Sequence, residues 1–203
     1  GKIIQYEKFN FSDTTNFYKK AIATAGIDGS YGSYMNGQVK YSVSNYLTST
    51  NNVIESHFYY PYTLPSKFAS SQKDSIIKLI NRGTSFINYT GHGSTSAWLY
   101  LGITISDSAR LKNKSMYPFI ISNACQTARF NNSSLGNRFV LAKNKGAIGF
   151  IGCSNDSYWD EDFWWYVGTG TPSGDPKYET TGLGAADRLF HTHGEKASQW
   201  YTT

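Results

Sequence analysis

Two residues in this sequence have types and neighbours suited to covalent chemistry: His92, within Thr90-Gly91-His92-Gly93, and Cys125, at the end of Ile120-Ile121-Ser122-Asn123-Ala124-Cys125. A thiol attacks an acyl carbonyl effectively only as the thiolate, which a neighbouring imidazole generates and stabilises. The imidazole then protonates the departing amine, so it has to reach both atoms. Glycines on either side of His92 remove side chains that would crowd a bound extended backbone, and they admit turns with positive φ. Negative charge develops on the attacked oxygen, and the backbone N–H groups of Gly93 and Cys125 are candidate donors for such an oxyanion hole. Each residue alone has an ordinary explanation, since a free cysteine after an apolar strand is commonly a small buried hydrophobe and a histidine between glycines can be a turn. Their placement at successive strand ends favours the reactive reading. Cys153 has no comparable histidine and reads as structural.

The elements that must hold the pair follow from the patterning. Ser71-Gln72-Lys73-Asp74 opens a helix whose Ile76, Ile77, Leu79 and Ile80 form an apolar face and which ends at Gly83. Residues 85–89 then read as a strand that stops at the His92 segment. Residues 119–122 form a second strand that stops at Cys125, 135–145 a helix, and 147–151 a third strand ending at Gly152-Cys153. Strands alternating with helices imply an α/β fold with a mostly parallel sheet and right-handed crossovers, covered on both faces. Ligands of open sheets bind at the carboxyl ends of the strands, where His92 and Cys125 both fall. Adjacent strands lie about 4.8 Å apart, so residues 33 positions apart in the chain can meet there. Farther along, 160–167 and 184–191 read as helices. The first 68 residues, with strands expected at 39–43 and 54–60 and a short helix near 13–24, read as a strand and loop portion suited to an adjacent subdomain.

Composition bounds the class. The chain has 203 residues, 39% hydrophobic and only 16% charged, with 16 Tyr, 12 Phe and 5 Trp, which argues for an ordered globule. The net charge of +5 is scattered, without the stripe or groove-reading motif of a nucleic-acid binder, so no nucleic-acid partner is expected. No run of about 18 apolar residues exists to form a spanning helix. Two cysteines do not make a disulfide scaffold. Asn88 sits in a sequon, but inside an expected core strand where no glycan fits. An opening Gly1 in place of Met suggests additional domains or a prosegment in a longer parent.

The segments Phe86-Ile87-Asn88-Tyr89-Thr90-Gly91-His92-Gly93 and Ile120 to Cys125 resemble the His-Gly and Ala-Cys blocks of the gingipain family, cysteine peptidases of Bacteroidetes with a caspase-like fold. The resemblance covers residues 70–168 well. It implies a caspase-like three-layer α/β/α sandwich, with residues 69–203 as the catalytic domain. It further implies a secreted or cell-surface endopeptidase that acts on protein or peptide substrates, with Cys125 as nucleophile, His92 as general acid/base and no required cofactor. The Gly expected soon after the cysteine is replaced here by Ala128 or Arg129, although Phe130 is kept. Some members orient the histidine with an upstream carboxylate, for which Glu55 and Asp28 are the candidates. The alternative from another class is a non-catalytic binding or secretion-associated module that retained the fold.

Asp156, Asp160, Glu161 and Asp162 form an acidic cluster on a basic chain. Such a reversal can receive a cationic side chain, and by the resemblance Asp160 or Asp162, with Trp159 as a wall, would select Lys or Arg before the scissile bond. The competing explanation is a helix N-terminus, where acidic residues complement the helix dipole. The same carboxylates would suit a structural calcium ion, which relatives hold, although the spacing is not that of an EF-hand loop. His191-Thr192-His193 lacks the spacing of a zinc peptidase, and no metal ligands are assigned.

Overall fold

The computed structural model describes residues 1–8, 15–59, 68–130 and 133–190. At its centre β1 (Lys20–Ala25), β2 (Glu55–Tyr59), β3 (Phe86–Thr90), β7 (Phe119–Asn123) and β8 (Gly149–Gly152) form a five-stranded, wholly parallel sheet with the order β2-β1-β3-β7-β8. Successive strands go to one side of β1 and then to the other. The reversal makes the carboxyl edge of β1 and β3 the crevice where open sheets bind ligands.

Helices cover both faces, as strands buried on two sides require. On one face α3 (Phe68–Asn81) and α4 (Leu135–Leu141) pack Ile76, Ile80, Leu135 and Phe139 against Ile22, Ile87 and Ile120. On the other, α2 (Gly32–Asn45), α5 (Trp159–Tyr166) and α7 (Ala185–Phe190) pack Met35, Val39, Phe163, Tyr166 and Ala186 against Ala21, Ala23, Ala25 and Ile121. This is the three-layer α/β/α sandwich of the caspase-like fold. A short helix, α1 (Lys2–Glu7), precedes it, and α6 (Tyr178–Thr181) lies between α5 and α7.

Two early elements differ from their sequence reading. Residues 39–43, expected as a strand, belong to α2: Val39, Tyr41 and Val43 alternate, but burial of Met35, Gln38, Val39 and Ser42 follows the helical period. Of the helix expected near 13–24, residues 13 and 14 lie outside the described residues, and the rest form one 3-10 turn, Phe17–Lys19, leading into β1. Alanine favours helix, yet at 21, 23 and 25 burial in the sheet overrides that preference. β1 and β2, which come from before residue 68, pair in the same sheet as β3.

The stretch after β3 forms a small antiparallel sheet of β4 (Gly93–Ser94), β5 (Ala97–Trp98) and β6 (Ile103–Thr104). Its anchor is Trp98, fully buried, stacked on Tyr89 at 4.8 Å and donating Nε1–H to Ser122 Oγ at 2.8 Å. The indole thereby pins the segment following His92 onto the strand that leads to Cys125. Asn88 is likewise fully buried in β3, as expected of a sequon that carries no glycan.

Candidate active site

The sheet register places His92 and Cys125 at neighbouring strand ends. Thr90 of β3 is opposite Asn123 of β7, and His92 and Cys125 each follow two residues later. Contact at this edge is intimate, since a Cβ built on Gly93 would come within 2.7 Å of the Cys125 carbonyl oxygen and 2.8 Å of Ala124 Cβ. Neither Gly91 nor Gly93 has a positive φ. What requires glycine here is close approach of backbones, not the turn freedom expected from the sequence; a Gly91 Cβ would lie 2.7 Å from Tyr89 Oη. Beneath the pair, Thr90 Oγ1 and Asn123 Nδ2 both donate to Oε1 of buried Gln38, which ties the two strand ends to α2.

Asp28, not Glu55, partners the histidine. His92 Nε2 is 3.0 Å from Asp28 Oδ2, whereas Glu55 pairs with Lys20 at the opposite end of the sheet. Asp28 lies three residues after β1, and its Oδ1 accepts the N–H groups of Ser30 and Tyr31, both at 2.8 Å. The Tyr31 N–H leads the influences that hold its carboxyl below the usual carboxylate range, with Ser30 and His92 adding to it. An ionised Asp28 can only accept, so the imidazole donates Nε2–H to it and leaves Nδ1 as its basic nitrogen. The His92 carbonyl is fixed by Tyr89 Oη–H at 2.8 Å and Leu99 N–H at 3.1 Å.

The loop between β8 and α5 closes the site from the other side. Ser157 N–H donates to Cys125 Sγ at 3.4 Å, and the thiol faces Ser157 O at 3.5 Å. Two residues on, the Trp159 ring meets the His92 ring edge-on, centroids 5.0 Å apart, and stacks on Tyr31 at 5.8 Å. Residues two apart span at most about 7 Å, so one short segment touches both thiol and imidazole. Gln126, at φ +60, sends its N–H to Asn155 O and Nε2–H to Asp156 Oδ1, while its Oε1 accepts from Thr95 Oγ1. Sequence patterning gave no sign of Ser157 or Gln126, because contacts between loops leave no periodicity.

The acidic cluster does not act as one unit. Asp156 and Asp160 are exposed. Asp162 is only 7% exposed; it accepts Ser157 Oγ–H at Oδ2, and its Oδ1 lies 3.9 Å from Cys153 Sγ. Burial pushes its carboxyl up to about 6. Among the described residues no group of three or more His, Cys, Asp or Glu is arranged to hold a metal. His191 and His193 lie outside the described residues. Cys125 and Cys153 are both free and half-buried, and burial raises the Cys153 thiol.

A half-buried thiol and an imidazole paired with a carboxylate stand at neighbouring strand ends of this caspase-like sandwich. The chain belongs to peptidase family C25, whose family model matches residues 1–197. Among its relatives, Lys-gingipains of Porphyromonas gingivalis are 34% identical over 196 residues and 32% identical over 195, each covering 93% of this chain. A solved structure described as that of a protease superposes with a TM-score of 0.79 at 33% identity over 93% of the chain. The crystal structure of the Arg-specific cysteine proteinase gingipain R, at 22% identity over 80% of the chain and a TM-score of 0.58, shares the fold. The chain spans 11% of the length of those Lys-gingipains and 40% of the protease chain. Among the described residues no helix is long and apolar enough to cross a membrane.

Proposed function

We propose that this chain carries the catalytic centre of a secreted or cell-surface cysteine endopeptidase. Cys125 is the nucleophile, His92 the general acid/base and Asp28 the carboxylate that fixes its tautomer. His92 takes the thiol proton, the thiolate adds to the peptide carbonyl, and the N–H groups of Gly93 and Cys125 receive the oxyanion. The imidazolium then protonates the leaving amine, and water activated by His92 hydrolyses the thioester. The observation that carries this reading is the Asp28–His92 hydrogen bond at the strand end adjoining Cys125.

The substrate preference proposed is Lys or Arg before the scissile bond, in keeping with the Lys-gingipain and Arg-specific names of its relatives. Exposed Asp156, next to the serine that touches Cys125, and exposed Asp160 are the carboxylates available to a cationic side chain, with Trp159 as a wall. Asp162, expected from sequence at the pocket base, has its carboxylate engaged by Ser157.

The test pairs labelling with digestion. A Lys-directed peptidyl electrophile is expected to modify Cys125 alone and to lose that selectivity in His92→Ala; a peptide-library digest is expected to show basic residues before the cut, weakened by Asp156→Asn. Equal labelling of Cys125 and Cys153, indifferent to His92, would overturn the peptidase assignment and favour a binding module.

A further inference from the structure

Asp162 is placed oddly for an acidic residue at a helix N-terminus. Asp160 and Glu161, exposed in the same first turn of α5, already complement the helix dipole, and an exposed position would serve Asp162 equally well. Its carboxylate is instead buried, at the cost of desolvation. There Oδ2 takes the one proton of the Ser157 hydroxyl at 2.9 Å. Ser157 is bonded at three atoms: Oγ to Asp162, and its N and O at 3.4 and 3.5 Å from Cys125 Sγ. Its Oγ lies 3.9 Å from the same sulfur. Residues 153–158 have no regular secondary structure; backbone bonds hold the carbonyls of Cys153, Asn155 and Tyr158, and at Ser157 itself the hydroxyl bond to Asp162 is the side-chain anchor.

We propose that Asp162 and Ser157 form a buried positioning pair for the nucleophile, in which Asp162 holds the Ser157 hydroxyl so that the Ser157 backbone N–H stays aimed at the Cys125 thiolate. The inference rests on the peptidase reading of Cys125, and it gives Asp162 a role in reactivity. A thiolate is an acceptor without donors of its own, and a fixed N–H stabilises it relative to the thiol. Asp162 acts through Ser157 and touches no reacting atom, so it is a positioning residue.

The test compares Asp162→Asn with Asp162→Ala in the chain at its full natural length. Both remove the charge, but only Asn keeps an oxygen to accept the Ser157 hydroxyl. Two quantities are read: kcat and KM on a lysyl peptide amide, and the pH profile of iodoacetamide alkylation, with Cys125 and Cys153 resolved by peptide mass spectrometry. Asp162→Ala is expected to lose about tenfold in kcat, the weight of one hydrogen bond to a charged acceptor, with KM within about twofold. Its Cys125 alkylation midpoint is expected to lie about one pH unit above that of Asp162→Asn. Ser157→Ala should match Asp162→Ala, and the double variant should lose no more than either, because the two act in series. Matching kcat values and alkylation midpoints for Asn and Ala, a change confined to KM, or losses that multiply in the double variant would each overturn the pair. If the wild-type chain cleaves no peptide yet the alkylation midpoints differ as stated, the peptidase reading fails and the positioning pair stands. Cleavage with coincident midpoints leaves the peptidase reading standing and removes the pair. Should Asp162→Ala not fold, Ser157→Ala against the wild-type chain supplies the same two readouts.

Discussion

Replacing Asp162 by Asn is expected to stabilise the protein at neutral pH and to leave it nearly unchanged near pH 4. Burial raises this carboxyl from 3.8 to about 6, against the lowering influence of Ser157 and Cys153. Between those two values the folded chain retains the proton while the unfolded chain has released it. Folding therefore takes up a proton, and wild-type stability falls as pH rises through the window and stays lower above it. At 1.36 kcal/mol per pH unit, the interval is worth about 3 kcal/mol. Exposure of only 7% leaves little solvent screening to discount. Asn does not titrate and nearly matches protonated Asp in shape, so its advantage should grow from about zero at pH 4 to about 3 kcal/mol at pH 8. Urea unfolding at five pH values, with Cys125→Ala in both proteins to prevent self-digestion, isolates the difference because every other titrating group is shared. A difference that stays flat, or that favours Asp as pH rises, would refute the reasoning and mean that this carboxylate is better stabilised in the fold than in water.

Asp28→Asn should lower kcat about 100-fold with KM little changed, because the amide favours the wrong tautomer of His92; steady-state kinetics decide. Gly93→Ala should abolish measurable turnover and cost about 1–3 kcal/mol in denaturant melts, since its Cβ meets the carbonyl of Cys125 rather than a yielding side-chain tip. Asp187→Ala should cost about 3–5 kcal/mol, read as a fall in Tm. It strips the acceptor from Gly184 N–H and from the hydroxyls of Tyr41 and Tyr46, all in a fully buried setting.

The parallel core was legible in the sequence because Phe86–Thr90 and Phe119–Asn123 are short apolar runs, each halted by a residue suited to chemistry. The His92 and Cys125 placement followed from that grammar without any contact being known. The first 68 residues were harder. In α2 the aromatic and β-branched positions imitate a two-residue period, and in β1 alanine marks a strand packed closely beneath α2. Asp28 was one of two carboxylates left open, and only the sheet register, with β1 inserted between β2 and β3, separates it from Glu55. Ser157, Gln126 and the inward turn of Asp162 depend on loop conformation, which carries no hydrophobic period and little propensity. An acidic cluster reads alike whether its members face solvent, a substrate or the protein interior.

The two carboxylates around the reactive pair are tuned in opposite directions by environments with a common cause. Asp28 follows β1 and accepts the N–H groups of Ser30 and Tyr31 just before α2, which lower its carboxyl below the usual range. Asp162 enters from α5, packed beneath the same strand ends, and is deprived of water. The contacts between them form a closed circuit: Asp28 to His92, the Gly93 backbone to Cys125, Cys125 to Ser157, and Trp159 back through Tyr31 to the turn of Asp28. In a circuit of this kind no loop can shift independently. Trp159 lies against the imidazole and Ser157, two residues before it, against the sulfur, so the relative placement of His92 and Cys125 depends on three loops together.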